Sequence, residues 1–160
     1  MRVQITLMAS SPPELCLIIL QHIELLLSRD PSMFASEFNS FFCRYNEPSY
    51  IKSKKLEIIT IIATTANTAS ILEELGSYVT DVDAEMARKS IRSIGRIAVR
   101  ITKYVEHIIS MLLAFQELDI SYVTAESLCV LRDILRILPD RAARILPSLT
   151  MFSDSAVLDG

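Results

Sequence analysis

The sequence predicts an all-α chain built as a row of stacked helical hairpins, and three observations predict it. Apolar residues recur at the three- and four-residue spacing of a helix face along nearly the whole chain. Only 3 Gly and 6 Pro punctuate 160 residues, which leaves little room for the many tight turns of an all-β fold. The breaks between apolar segments fall at a near-constant interval. Hydrophobic residues make up 51% of the chain and charged residues 22%, which excludes a disordered or fibrous class.

The elements follow from the punctuation. Pro12-Pro13 opens a first helix, because proline suits a first turn whose N–H has no partner in any case; it runs to about Ser28. Asp30-Pro31 starts a second, through Phe42, and Asn46-Glu47-Pro48 a third, to about Thr65. Asn67 is a suitable N-cap for a fourth, through about Thr80. Asp81 and Asp83 place negative charge at the start of a fifth, through about Ile101, where the helix dipole favours it. A sixth covers residues 103–117. Asp119 is expected to cap a seventh, to Leu138, and Pro139-Asp140 begins an eighth that fades near Ser153.

Paired, these helices form hairpins over 13–42, 48–80, 83–117 and 120–152, and their first members start near 13, 48, 83 and 120. That interval lies between the ~34 residues of tetratricopeptide units and the ~40–47 of HEAT and armadillo units. The tetratricopeptide pattern is missing, and the chain has no Trp. The predicted fold class is therefore an α-solenoid of HEAT/armadillo-like helical hairpins, an α-α superhelix, over residues 1–160. One hairpin cannot bury its own apolar face, so the chain must break, reverse and stack the next pair on the last. On the third helix, Leu56, Ile59 and Ala63 are expected to face inward. Lys52 and Lys54 are expected to reach water, with Lys55 burying its stem and keeping its ammonium wet. Neither end of the chain looks polar enough to close a solenoid, which suggests a piece of a longer one or end faces that meet partners.

Formal net charge is −3 and the pI is about 5.4, so nothing points to nucleic acid. Cys16, Cys43 and Cys129 are far apart and odd in number, and are expected to be reduced, buried thiols. Residues 15–27 are apolar but shorter than the ~20 residues of a membrane span, and Gln21, His22 and Glu24 interrupt them. The first residues carry no long apolar block of a signal peptide. A cytosolic chain is expected.

No constellation points to catalysis, a metal or a cofactor. His22 and His107 are two repeats apart, and Cys16 lies on a different helix face from His22, so the histidines read as structural. The acidic run around Gly76 lacks the residue order of a calcium loop. Gly76 and Gly95 sit within helices, where glycine costs about 1 kcal/mol relative to Ala, and close helix contact is the usual return. One pattern stands out. Arg88, Arg92, Arg96, Arg100 and Lys103 recur at four, four, four and three residues, on one slowly drifting face of the fifth helix. Two readings are open: a solvated face opposite the Ile91-Ile94-Ala98-Ile101 stripe, or a basic interaction face for an acidic partner or anionic lipid heads.

A family resemblance narrows the function. Phe41-Phe42, the Tyr45-Asn46-Glu47-Pro48 turn, Tyr50-Ile51-Lys52 and Lys55-Leu56-Glu57 are followed in order by Asn67, by Ala87 to Arg92 and by Ile94-Gly95-Arg96. In that order and at those distances they resemble the trunk of the β-adaptins, the large β chains of the heterotetrameric adaptor complexes of vesicle coats. The resemblance runs from about residue 15 to 152. The wording of residues 43–50, "CRYNEPSY", and of residues 121–126, "SYVTAE", is most similar to the β chain of the fourth, clathrin-independent complex. Such a chain would be a scaffold segment, without enzymatic activity or cofactor, in intracellular protein transport and cargo sorting at the trans-Golgi network. It would pack beside a second large chain, hold the medium chain, and share the complex with a small chain, peripheral on Golgi or coated-vesicle membranes. A full trunk is several times longer and carries a hinge and appendage, so the resemblance implies a mid-trunk piece or a truncated gene model. The alternative is a generic HEAT-repeat binding module, such as part of a transport receptor or a phosphatase scaffold.

Overall fold

The computed structural model describes residues 5–8, 11–143 and 145–147. Six α-helices carry the architecture: α1 Pro13–Leu27, α2 Ser49–Ile62, α3 Thr68–Ser77, α4 Ala84–Arg100, α5 Val105–Ala114 and α6 Ser121–Ile137. No strand occurs among the described residues. Short 3-10 segments fill most connections: Ala35–Phe41, Tyr78–Thr80, Thr102–Tyr104, Phe115–Leu118 and Pro139–Arg141. The fold is an all-α solenoid. Helices α1, α2, α4 and α6 lie side by side as one layer, each packed on the next. They begin at 13, 49, 84 and 121, at successive intervals of 36, 35 and 37 residues. The second layer comprises the Ala35–Phe41 segment against α2, α3 against α4, and α5 against both α4 and α6.

The interior helices of the row are buried on most sides, because a neighbour covers each flank and the second layer covers the base. On α2, Ile51, Leu56, Ile58, Ile59 and Ile62 are at most 1% exposed; on α4, Ile91, Ile94 and Ile97 are fully buried. Each such side chain stabilises the fold by about 1.5–3 kcal/mol. The predicted inward stripes, Leu56-Ile59-Ala63 and Ile91-Ile94-Ala98-Ile101, are all buried. At the first helix of the row, Leu15, Ile18 and Leu25 remain exposed.

Several local expectations are corrected. The helix expected over 31–42 is a turn followed by a 3-10 segment. The Asp30 carboxylate takes both the backbone N–H and the hydroxyl of Ser32, and bonds between residues three apart continue through Met33, Ala35 and Glu37. Aromatic, Ser and Asn residues favour the α-helix little. The tighter winding lets Phe34 meet Phe41, and Phe38 meet Phe42, edge-on at 6.0 and 5.8 Å between ring centres. Asp119 does not cap α6; it takes a left-handed conformation (φ 53°) that ends the preceding 3-10 turn, and Ile120 occupies the cap position. Asp83 does cap α4, accepting from the N–H groups of Glu85 and Met86 at 3.0 and 3.4 Å. The Ser49 hydroxyl on its other oxygen is the main reason its carboxyl lies below the usual range. The eighth helix lies partly outside the described residues.

Polar contacts between hairpins recur at the same interval as the helices. Asn67 makes no capping bond to α3. Its side chain instead accepts from the Thr64 N–H and donates to the carbonyls of Ala35 and Ile62, tying two repeats together. The Tyr78 hydroxyl accepts from the Cys43 N–H at 2.8 Å and donates to Glu74 at 2.5 Å. The Arg100 guanidinium donates to the carbonyls of Thr60 and Ala63 where α2 ends, and the Tyr104 hydroxyl donates to the carbonyl of Thr65. The three lysines of α2 are not free in water. Lys55 is 3% exposed and donates to Glu47 at 2.5 Å and to the Phe42 carbonyl at 3.2 Å. Lys54 bridges Glu24 at 2.7 Å and Glu57 at 2.8 Å, and Lys52 pairs with Asp81 at 3.6 Å. The partners come from the elements around α2: Glu24 of α1, Glu47 in the turn before α2 and Asp81 in the turn before α4.

The two mid-helix glycines differ. A Cβ on Gly95 would lie 2.4 Å from Val130 Cγ1, so glycine is what allows α4 and α6 to approach. A Cβ on Gly76 would meet only Met111 Cε at 3.9 Å. Gly76→Ala is expected to raise stability by up to ~1 kcal/mol through helix propensity. Gly95→Ala is expected to lose about 1–3 kcal/mol to overpacking, more than the propensity gain, and Val130→Ala should rescue it; urea denaturation of the four chains checks this. Lys55→Met is expected to cost about 3 kcal/mol in the same assay by stranding Glu47, with part recovered in the double variant with Glu47→Gln.

Candidate functional site

The basic residues singled out by the sequence are carried on the outward side of the α1–α2–α4–α6 layer, and the structure divides them by task. Glu85 lies near both Arg88 and Arg92, at 3.7 and 3.9 Å, and the Arg88 guanidinium sits 5.7 Å from the centre of the Tyr122 ring. Arg92 forks onto Glu126 of α6 with bonds of 2.7 and 2.9 Å, and this pairing raises its pKa above the ordinary arginine value. Arg100 turns away to the end of α2, and burial lowers its pKa. Lys103 lies beyond α4 in the 3-10 turn, exposed, 5.8 Å from the ring centre of its neighbour Tyr104. Arg96 is exposed at the middle of α4 and forms no ion pair with a described residue. The five thus share a helix register without forming one continuous field.

Depressions between successive helices cross this layer. A notch of about 120 Å³ between α2 and α4 is lined by Ser53, Leu56, Glu57, Lys89, Ser93 and Arg96, with Arg92 at its edge. A larger groove of about 530 Å³ lies between α4 and α6, with Gly95, Val99, Val130, Ile134 and Ile137 as its apolar part. Arg92 and Arg96 line both, so they form the ridge between notch and groove. Within the groove Val130 packs directly on Gly95, where a Cβ would lie 2.4 Å from its Cγ1. Lys89 donates to the Ser53 hydroxyl at 2.6 Å and has no carboxylate partner among the described residues.

The register that groups the five basic residues omits Lys89, which joins the notch only once α2 lies beside α4. The legible signal was one of offset: Ser53 and Lys89 are 36 residues apart, and Arg92 and Glu126 are 34 apart. The cysteines also divide. All three are free; Cys16 is buried, Cys43 partly buried, and Cys129 exposed on the groove wall. The expectation of a buried thiol fails at Cys129 because that side of α6 faces outward. Burial pushes the Cys43 thiol up to about 12 and also raises Cys16. His22 and His107 are both exposed. No group of three or more His, Cys, Asp or Glu among the described residues is placed to hold a metal, and none of their helices is long and apolar enough to cross a membrane. The arrangement holds charged and apolar surface for contact.

Known proteins are similar to this sequence. The family described as the adaptin N-terminal region matches residues 2–157. The chain is 45% identical over 136 residues to beta-adaptin-like protein A of Arabidopsis thaliana, covering 84% of this chain and 16% of that protein. It is 36% identical over 146 residues to the human AP-1 complex subunit beta-1, covering 91% and 15%. It is 34% identical over 151 residues to the AP-2 complex subunit beta of Schizosaccharomyces pombe, covering 94% and 22%. The chain thus spans less than a quarter of the length of these relatives.

Thiol accessibility tests the placement of the groove wall. At pH 8, maleimide is expected to modify Cys129 first, with Cys16 and Cys43 protected until the chain unfolds; mass spectrometry after timed quenching reads the order. Because the folded-state value of Cys43 lies above its ordinary 9.0, its contribution is complete below pH 9 and is lost as pH rises toward 12. Cys43→Ala should therefore flatten the alkaline fall of the urea midpoint in that window.

Proposed function

The chain belongs to the family of adaptin N-terminal regions, and from that premise we propose that it is a scaffold segment of an adaptor-complex β subunit in vesicle-mediated intracellular transport. The observation that carries this reading is the family match over residues 2–157, joined to a stack of hairpins with an outward layer rich in paired and unpaired charge. A solenoid does its work by surface. Its repeats present many side chains at fixed spacing and bind other chains along their length. The partners in this reading are the other adaptor subunits: a second large chain, a medium chain and a small chain. Membrane association is peripheral, through the complex, and the activity is protein–protein interaction rather than catalysis.

The finer parts of the proposal rest on less surface. We assign residues 1–160 to one trunk segment of about four HEAT-like hairpins, 13–42, 48–80, 83–117 and 120–152; the helix starts at 13, 49, 84 and 121 support it. We place the segment in the fourth, clathrin-independent adaptor complex, with cargo sorting at the trans-Golgi network, on the wording of residues 43–50 and 121–126. The basic interaction face belongs to this proposal as well. Of Arg88, Arg92, Arg96, Arg100 and Lys103, Arg96 has the fewest partners and is the residue through which the face would act.

The test is affinity purification of the tagged chain from cells that express it, with the recovered proteins identified by mass spectrometry. Recovery of a second large adaptor chain with a medium and a small chain is expected. Stable recovery of a phosphatase catalytic chain or of transport-receptor cargo, without adaptor subunits, would sink the assignment.

A further inference from the structure

The notch between α2 and α4 and the groove between α4 and α6 differ in chemistry, and their junction combines the two. The notch gathers Lys89, Arg96 and the hydroxyls of Ser53 and Ser93 in about 120 Å³, a space suited to one small polar group. Its single acid, Glu57, is already engaged by Lys54 at 2.8 Å. Across the ridge, Glu126 is engaged by Arg92 and Asp133 by Arg132 at 3.0 Å. Once these pairs are set aside, Lys89 and Arg96 remain as the two cations without a carboxylate among the described residues lining these depressions. The groove beyond them has an apolar floor, with Ile137 left 55% exposed.

We propose that this junction docks an extended acidic peptide segment of a partner protein, with a carboxylate held in the notch by Lys89 and Arg96 and an apolar side chain lodged between α4 and α6. Geometry selects an extended segment. Neighbouring helices in such a layer are about 8–10 Å apart, so notch and groove are separated by one helix spacing. An extended chain advances about 3.3 Å per residue, so a carboxylate and an apolar side chain roughly three residues apart span the α4 ridge. Charge selects an acid: the carboxylate neutralises two cations that otherwise lack a counter-charge, and the guanidinium and ammonium donate charge-assisted hydrogen bonds to it. Arg92 keeps its fork on Glu126 and walls the path. Val130 fills the space over Gly95, and the apolar residue rests against Val99 and Ile137. The proposal rests on reading the first-helix layer as a partner-facing surface, and not on which adaptor complex the chain serves.

The experiment uses the 160-residue chain and fluorescein-labelled short peptides that place Leu three residues from paired Asp and Glu, with Asn/Gln counterparts. Fluorescence anisotropy is expected to show binding of the acidic peptides, about tenfold weaker or worse for the neutral ones, and weakened again by raising NaCl. Arg96→Glu and Lys89→Gln are expected each to reduce affinity severalfold while leaving the urea midpoint near that of the parent. Arg29→Glu, an exposed cation beyond α1 that lines neither depression, is expected to leave affinity unchanged. Equal binding of acidic and neutral peptides, or an equal loss in Arg29→Glu, would overturn the site. So would absence of peptide binding in a chain that sediments onto vesicles of phosphatidylserine and phosphatidylcholine through Arg96, which would reassign the notch to lipid. Because adaptor recovery from cells is a separate measurement, failure here and failure of the scaffold role are distinguishable.

Discussion

Several helix ends and turns in this stack leave backbone groups that their own hairpin does not pair, and side chains from farther along the chain supply the partners. Arg100 reaches back to the carbonyls of Thr60 and Ala63 at the end of α2, and Tyr104 to that of Thr65. Tyr78 holds the Cys43 N–H, Asn67 the carbonyl of Ala35, and Lys55 the carbonyl of Phe42. A buried backbone group left without a partner costs about 1–3 kcal/mol, so these contacts set the register between hairpins as well as their cohesion. Apolar burial brings the repeats together, but an isoleucine tolerates sliding that a hydrogen bond does not. The polar ladder at one repeat's spacing fixes where each hairpin sits on the last.

The same constraint shapes the outward layer. Four helices lying side by side must leave shallow depressions between them, and what fills each depression depends on the residues that flank it. Between α2 and α4 the flanking groups are hydroxyls and cations; between α4 and α6, a glycine and aliphatic side chains. Part of the charge on the layer is consumed by partners on the adjoining helix, as with Arg92 on Glu126 and Lys54 on Glu24. Net charge is therefore a poor guide to what this surface attracts. What counts in the two depressions is the charge left after neighbours are paired, which among their described lining residues is that of Lys89 and Arg96.

For a member of the adaptin N-terminal family, this division of labour suits a scaffold. The interior of the row is largely apolar, and the polar contacts that hold the repeats are spent between them. The outer layer then carries a limited set of groups free to meet another chain. A scaffold with fewer spent charges would bind any oppositely charged surface; one with all charges spent would bind only by shape. Here a small basic notch beside an apolar groove gives both selectivity for an acid and a second point of contact.

The sequence by itself determined the helical class, the interval of the repeat, the inward stripes of α2 and α4, the proline start of α1 and the Asp83 cap, because each depends on residues close together along the chain. Close helix contact was expected at both Gly76 and Gly95; it holds at Gly95, against Val130 thirty-five positions on, and not at Gly76. Tertiary structure alone decided the rest. The 3-10 winding of 35–41 brings Phe34 edge-on to Phe41, the conversion of Asn67 from cap to tie came from a carbonyl of another hairpin, and the burial of Lys55 came with a carboxylate in the turn before its own helix. The basic stripe shows the limit most clearly. Helical register places Arg88, Arg92, Arg96 and Arg100 on one side, but a charge is neutralised by what lies across the gap, and only the stacking of one repeat on the next brings Glu126 to Arg92, the end of α2 to Arg100, and no carboxylate among the described residues to Arg96.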